Sequence, residues 1–242
     1  MARAEARGRR LRRPYPDPVM GKRGRGRQVP GMNDTETAVA DLLSFWIDDP
    51  AETAPQLLGK YQRWYQGGAE LDRTIRGRYG SLVQSAVAGE LDSWRERVSG
   101  RLALLILLDQ FTRNIYRGTA RAYSGDAAAL ALALDTVERG AHRAYSLEER
   151  LFVLMPLVHA EDVALLRRAV ALADEMAHDA PPALREPWVF GASRVRKYHA
   201  LIERFGRYPA RNQALGRRSS AEELAYLAEE ANAGPPLASL QR

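Results

Sequence analysis

The stretch Leu102-Ala103-Leu104-Leu105-Ile106-Leu107-Leu108-Asp109-Gln110-Phe111-Thr112-Arg113-Asn114-Ile115-Tyr116-Arg117 changes character halfway along. Leu102 to Leu108 is apolar on every side, as in a helix buried all round. The run is far shorter than the ~18 apolar residues that a membrane span needs. It therefore predicts a central helix from Gly100 to about Arg117 inside an all-helical body. Beyond Leu108 the helix turns polar. At 3.6 residues per turn, Gln110, Arg113, Asn114 and Arg117 share one arc, and Asp109 borders it. That arc continues the face of Leu102, Ala103 and Ile106, so a face that begins as core ends charged. Buried charge must be paired. Asp109 and Arg113, at i,i+4, suit an ion pair that stitches helices together. The convergence of four polar side chains suits a pocket at the helix end. Both readings stand at this point.

The flanking sequence is helical by its apolar spacing. Val39, Leu42, Leu43 and Trp46 mark a first helix, with Asn33 or Asp34 as cap. Leu57, Leu58, Tyr61, Trp64 and Tyr65 mark a second, and residues 70–87 a third. Leu91 and Trp94 lie on a short piece, and an alanine-rich helix runs from Asp126 to Arg139. Ser146 with Glu149 forms a capping box that starts another helix. Pro156 either interrupts that helix or begins the next, which continues to about Met176. Trp188 to Phe205 is helical, residues 206–216 form a loop, and Ser219/Ser220 with Glu222/Glu223 cap a last helix. There is no strand pattern. Eight or nine helices with short connections imply an all-α fold of packed antiparallel pairs.

The chain has 242 residues, 45% hydrophobic and 27% charged, with no cysteine and a net charge of +6. This excludes a disulfide scaffold, a cysteine nucleophile and a thiolate metal site. The positive charge points to nucleic acid until it is located. Residues 1–31 hold ten Lys or Arg against two acids, a net of +8, leaving the remainder at −2. Residues 1–32 are accordingly expected to be a disordered basic leader, 33–232 a single helical domain, and 233–242 a loose tail. The leader lacks the apolar core of a signal peptide. No nucleic acid or membrane partner is expected of the body, and a cytoplasmic location is.

Two further clusters carry chemistry. In Pro156-Leu157-Val158-His159-Ala160-Glu161-Asp162, an acid beside an imidazole would fix its tautomer and raise its basicity. Near the C-terminus, His199 is followed by Glu203 and by a loop with Arg207, Arg211, Asn212 and Arg217. Arginine forks suit carboxylate or phosphate. His142 and His178 read as surface residues. Phosphate-loop, dinucleotide, serine-hydrolase and zincin motifs are absent from the sequence.

These stretches, read in order with Leu43-Ser44-Phe45-Trp46, Gly89-Glu90-Leu91 and Arg204-Phe205-Gly206-Arg207-Tyr208-Pro209, are similar to a known family. Over roughly residues 38–230 the chain resembles the bacterial family of unknown function numbered 924. The resemblance implies a tetratricopeptide-like helical array and a shared polar site, and brings no established reaction. In one departure, Tyr208-Pro209-Ala210-Arg211-Asn212 stands where the family typically reads Phe-Pro-His-Arg-Asn. Chemistry that used that histidine would not transfer to Ala210. Thr112, where proline is common, is a milder departure.

The expectation is a small-molecule enzyme of lyase or hydrolase type with an interior polar pocket for a carboxylate or phosphate. His159 is the leading general base, oriented by Asp162 or Glu161, with His199 second and Asp109 as a further acid. Gln110, Arg113, Asn114, Arg117, Arg207, Arg211 and Asn212 would bind substrate. No cofactor is obligatory; a transition metal on His159, His199 and one of Glu161, Asp162 or Asp109 is an alternative. The competing class is a scaffold that binds a peptide or protein.

Overall fold

The computed structural model describes residues 32–233. The expected leader and tail lie outside these residues, apart from Met32 and Ala233, which are helical. The chain starts with α1 (Met32–Trp46), α2 (Ala54–Gln66) and α3 (Gly68–Val87), and a 3-10 turn at Asp92–Glu96 leads into α4 (Val98–Leu105). There follow a π-helical turn (Ile106–Phe111), α5 (Thr112–Ile115) and α6 (Asp126–Glu138). The rest comprises α7 (Leu147–His159), α8 (Val163–Asp179), α9 (Arg185–Phe205) and α10 (Ala221–Ala233). With α4, the π turn and α5 taken as one rod, the described residues form nine helices and no strand.

The central rod is buried as its sequence demands. Leu102 to Leu108 are all 3% exposed or less. α1, α6 and α7 pack around α4, while α3 covers the π turn and α5. Phe111 completes an aromatic cluster, its ring centroid 5.0 Å from that of Trp46 at 87°. The consecutive helices α6, α7, α8 and α9 each pack on the next, and α2 meets α9 across the fold.

The helix ends follow local chemistry. Glu149 accepts from the Ser146 backbone N–H at 2.8 Å and itself donates its N–H to the Ser146 hydroxyl. Ser220 and Glu223 repeat the exchange at α10. Gly206, at φ +67°, ends α9 in the left-handed region that favours glycine.

Pro156 neither interrupts α7 nor begins a helix. It lies inside α7, and the helix runs on to His159. An interior proline costs about 3 kcal/mol. Burial of its neighbours from Leu151 to Val158 offsets that cost. The π turn is a second departure from simple periodicity. At its end the Leu108 carbonyl accepts from the Thr112 hydroxyl at 2.7 Å. The π turn points Asp109 and Gln110 inward, both 6% exposed or less. His142 is buried rather than on the surface, with both ring nitrogens unpartnered.

Candidate functional site

A cavity of about 470 Å³ lies between α2, α7 and α9, with α8 behind it. That size falls in the range of small-molecule sites. α7 contributes Leu151, Leu154, Met155, Val158 and His159, a stripe at i, i+3, i+4, i+7 and i+8. The stripe is apolar until its last member. Along α9 the lining runs from Trp188 through Gly191, Ala192 and Val195 to Tyr198. Tyr61 and Trp64 face them from α2. Tyr65, Gln66, Arg117 and Ala210 line the cavity and are exposed, so they form its rim.

The polar end is built where α7 finishes against the π turn. His159 Nδ1 lies 2.7 Å from Asp109 Oδ1, and Gln110 donates to the other carboxylate oxygen at 2.5 Å. Burial would raise the Asp109 pKa, but Arg113, His159 and Gln110 outweigh it and hold the carboxyl at about 2. An ionised carboxylate can only accept, so Nδ1 carries the proton and Nε2 is left as an acceptor. Burial, then Arg113, pushes the His159 pKa below its ordinary value, against the pull of Asp109. At neutral pH the ring is therefore a neutral imidazole in a fixed tautomer, the state required of a general base.

The cations differ in how far they are already used. Arg113 donates to the Asp109 carbonyl at 2.6 Å, pairs with its carboxylate at 3.2 Å and pairs with Asp126 at 2.9 Å. Arg117 grips Asp72 through two bonds of 2.8 and 3.0 Å, and Asn114 donates to the same carboxylate at 2.8 Å. The Arg211 guanidinium makes no hydrogen bond among the described residues. Its closest carboxylate oxygen, on Asp126, is 3.8 Å away. Its guanidinium instead lies over Tyr208 at 4.5 Å and Tyr123 at 5.1 Å. Burial and then Arg113 lower its pKa. Arg194, also in the lining, makes no ion pair among the described residues and lies over Tyr198 at 5.4 Å. Four arginines thus meet three aspartates here, leaving one positive charge uncompensated.

The sequence expectations divide on this geometry. Gln110, Arg113, Asn114, Arg117, His159 and Arg211 line one cavity, with Asp109 directly behind His159. The other candidates are used elsewhere. Glu161 does not orient His159: it binds Arg217 at 2.6 and 2.9 Å and accepts from the Tyr208 N–H at 2.9 Å. Asp162 caps α8, accepting from the Leu165 N–H. Asn212 is buried between Ser219 and Arg217. Arg207 is held by Glu223 at 2.7 and 2.9 Å, away from the cavity. His199 sits 3.5 Å from Glu203 and does not line the cavity. His159, His199 and Glu161 are accordingly not gathered into a metal centre. Among the described residues no group of three or more His, Asp or Glu is placed to hold a metal. The pocket is polar only at one end, a correction to the expected polar interior.

Sequence reasoning passed over Arg194 and Tyr198. Their spacing, 188-191-192-195-198 together with 194, is ordinary helix periodicity. It gives no sign of which face meets a cavity.

An all-helical protein with a carboxylate–imidazole pair at the end of an apolar cavity is the class that fold and site define. The chain belongs to the family described as bacterial protein of unknown function (DUF924), which matches residues 42–231. It is similar to a protein of unknown function from Agrobacterium tumefaciens, at 33% identity. That solved structure superposes with a TM-score of 0.67, covering 81% of this chain and 99% of the other. No curated protein matches. No helix among the described residues is long and apolar enough to cross a membrane.

Proposed function

We propose that this chain is a small-molecule enzyme of lyase or hydrolase type. His159 acts as its general base, positioned by Asp109, on a substrate whose carboxylate or phosphate is held by Arg211. One observation carries the reading: the 2.7 Å contact of His159 with Asp109, at the wall of a cavity that also holds an arginine whose guanidinium makes no hydrogen bond among the described residues. An ion pair that only stitched helices together would need neither the imidazole in a cavity wall nor a guanidinium there whose N–H groups make no hydrogen bond. Arg113 serves the pair by holding Asp109 ionised. Gln110 fixes the second carboxylate oxygen.

The test is a screen of carboxylates for hydrogen–deuterium exchange at carbon, and of carboxylate and phosphate esters for hydrolysis. For any substrate found, His159→Ala is expected to lower turnover by about 100- to 10,000-fold. Arg211→Ala is expected to act chiefly on KM. Turnover that survives His159→Ala would sink the reading.

A further inference from the structure

The cavity is far more apolar than capture of a small anion requires. Its polarity also runs in one direction. On α7 the lining passes from Leu151 to His159, eight residues or about 12 Å of helix. On α9 it passes from Trp188, beside Tyr61, to Tyr198, beside Tyr208. That is a further ten residues, about 15 Å. Both helices carry their apolar ends together and their polar ends together. An inorganic or short-chain anion would fill only the His159 end. The remainder would be apolar surface left facing water, at about 25 cal/mol per Å².

Gly191 adds an independent argument. A glycine inside a helix costs about 1 kcal/mol relative to alanine. Internal packing does not require one here, since a Cβ on Gly191 would meet nothing closer than the Tyr61 hydroxyl at 3.9 Å. Gly191 lines the cavity in the middle of α9. Its missing side chain keeps the groove between α9 and α2 open.

We propose that the substrate is an amphipathic monoanion. Its unbranched apolar chain lies along the groove of α2, α7 and α9, and its anionic head meets Arg211 next to His159. This rests on the functional reading above and adds the chain. The occupant's charge follows from the lining, which holds four arginines and no acid; the three aspartates that partner them, Asp72, Asp109 and Asp126, stand behind it and leave one charge over. Its length follows from the 12–15 Å of apolar wall on α7 and α9.

Trp64 and Trp188 line the cavity and provide the readout, intrinsic fluorescence. The full chain is titrated with acetate, hexanoate, octanoate and decanoate, with inorganic phosphate, and with decan-1-ol. Affinity is expected to rise about fourfold per methylene along the carboxylate series. Decanoate should bind at least tenfold more tightly than decan-1-ol, and Arg211→Ala should remove that difference. Gly191→Leu, which fills open space and favours helix, should weaken decanoate at least tenfold while leaving acetate unchanged.

Acetate or phosphate binding as tightly as decanoate overturns the apolar chain and leaves the anion site standing. Decan-1-ol equal to decanoate in both the wild type and Arg211→Ala overturns the anionic head, and with it the functional reading. Fluorescence that responds to an apolar peptide and to none of the carboxylates overturns both in favour of a binding scaffold.

Discussion

His159 Nδ1 and Asp109 Oδ1 stand 2.7 Å apart across 50 residues of sequence, and this contact sets the state of both groups. The imidazole is pushed below its ordinary 6.5 by burial and Arg113, with Asp109 opposing. Removing the carboxylate charge removes the opposing influence. In a pH titration followed by NMR, His159 is expected to titrate below 6.5 in the wild type and lower still in Asp109→Asn. Assignment comes from the resonance lost in His159→Gln. An unchanged or raised value in Asp109→Asn would mean that the two groups do not interact in solution.

The same pair shapes acid stability. The carboxyl of Asp109 is held at about 2, below its ordinary 3.8, so the unfolded chain takes up a proton where the folded one keeps a carboxylate. That stabilisation is complete above about pH 4 and is lost as the pH falls through 2. It is on the order of 2 kcal/mol. Glu223, held at about 2 chiefly by its hydrogen bond from Arg207, titrates in the same window. The comparison is therefore between variants in a His159→Gln background, which removes the histidine that Asp109→Asn would itself shift: urea unfolding from pH 5 to pH 2.5 should show a shallower loss for the double variant than for His159→Gln alone. Parallel curves would contradict the assignment.

Glu161 and Arg211 should separate stability from binding. Glu161 ties the Arg207–Arg218 segment to the turn between α7 and α8 through Arg217 and the Tyr208 N–H. Glu161→Ala leaves a partly buried guanidinium and an amide without their partner, a loss of about 2–3 kcal/mol. Ligand affinity should fall with it, since Arg211 rides on that segment. Arg211→Ala, which loses ring contacts and a 3.8 Å ion pair with Asp126 but no side-chain hydrogen bond, should cost less than Glu161→Ala while abolishing the preference for anions. Thermal melts and the carboxylate titration measure the two effects on the same samples.

Gly125 guards the π turn. A Cβ there would lie 2.3 Å from the Leu108 carbonyl oxygen, which is backbone and cannot swing aside. Gly125→Ala is expected to destabilise by about 1–3 kcal/mol through overpacking. By displacing the turn that carries Asp109, it should also shift the His159 titration. A fully stable variant with an unshifted histidine would count against the tight packing of that junction.

Much of the fold was legible because helices are specified locally. The Ser146–Glu149 and Ser220–Glu223 boxes lie within one turn, and the apolar run Leu102–Leu108 announces its own burial. The two failures along the chain have the same cause. Pro156 reads as a break because local chemistry penalises it, and only packing on all sides of α7 keeps it helical. His142 reads as surface because its neighbours in sequence are polar, while in space Val137, Val153, Leu154, Leu172 and Met176 gather around it beside Arg150 and Glu175.

The site was legible in its residue types and only partly in its partnerships. The sequence by itself determined an all-helical body, its caps, the near-neutral charge of residues 32–242, and the Asp109–Arg113 spacing. Each of these depends on residues within four positions or on summed composition. Only the tertiary structure decided that His159 takes Asp109 rather than Glu161 or Asp162 as its partner. It also decided that Glu161 and Glu223 use up Arg217 and Arg207 while Arg211 remains available, and that Arg194 belongs to the cavity. An ion pair formed across 16 to 56 residues depends on how rigid helices pack, and every arginine in the sequence carries the same charge until packing selects its neighbour.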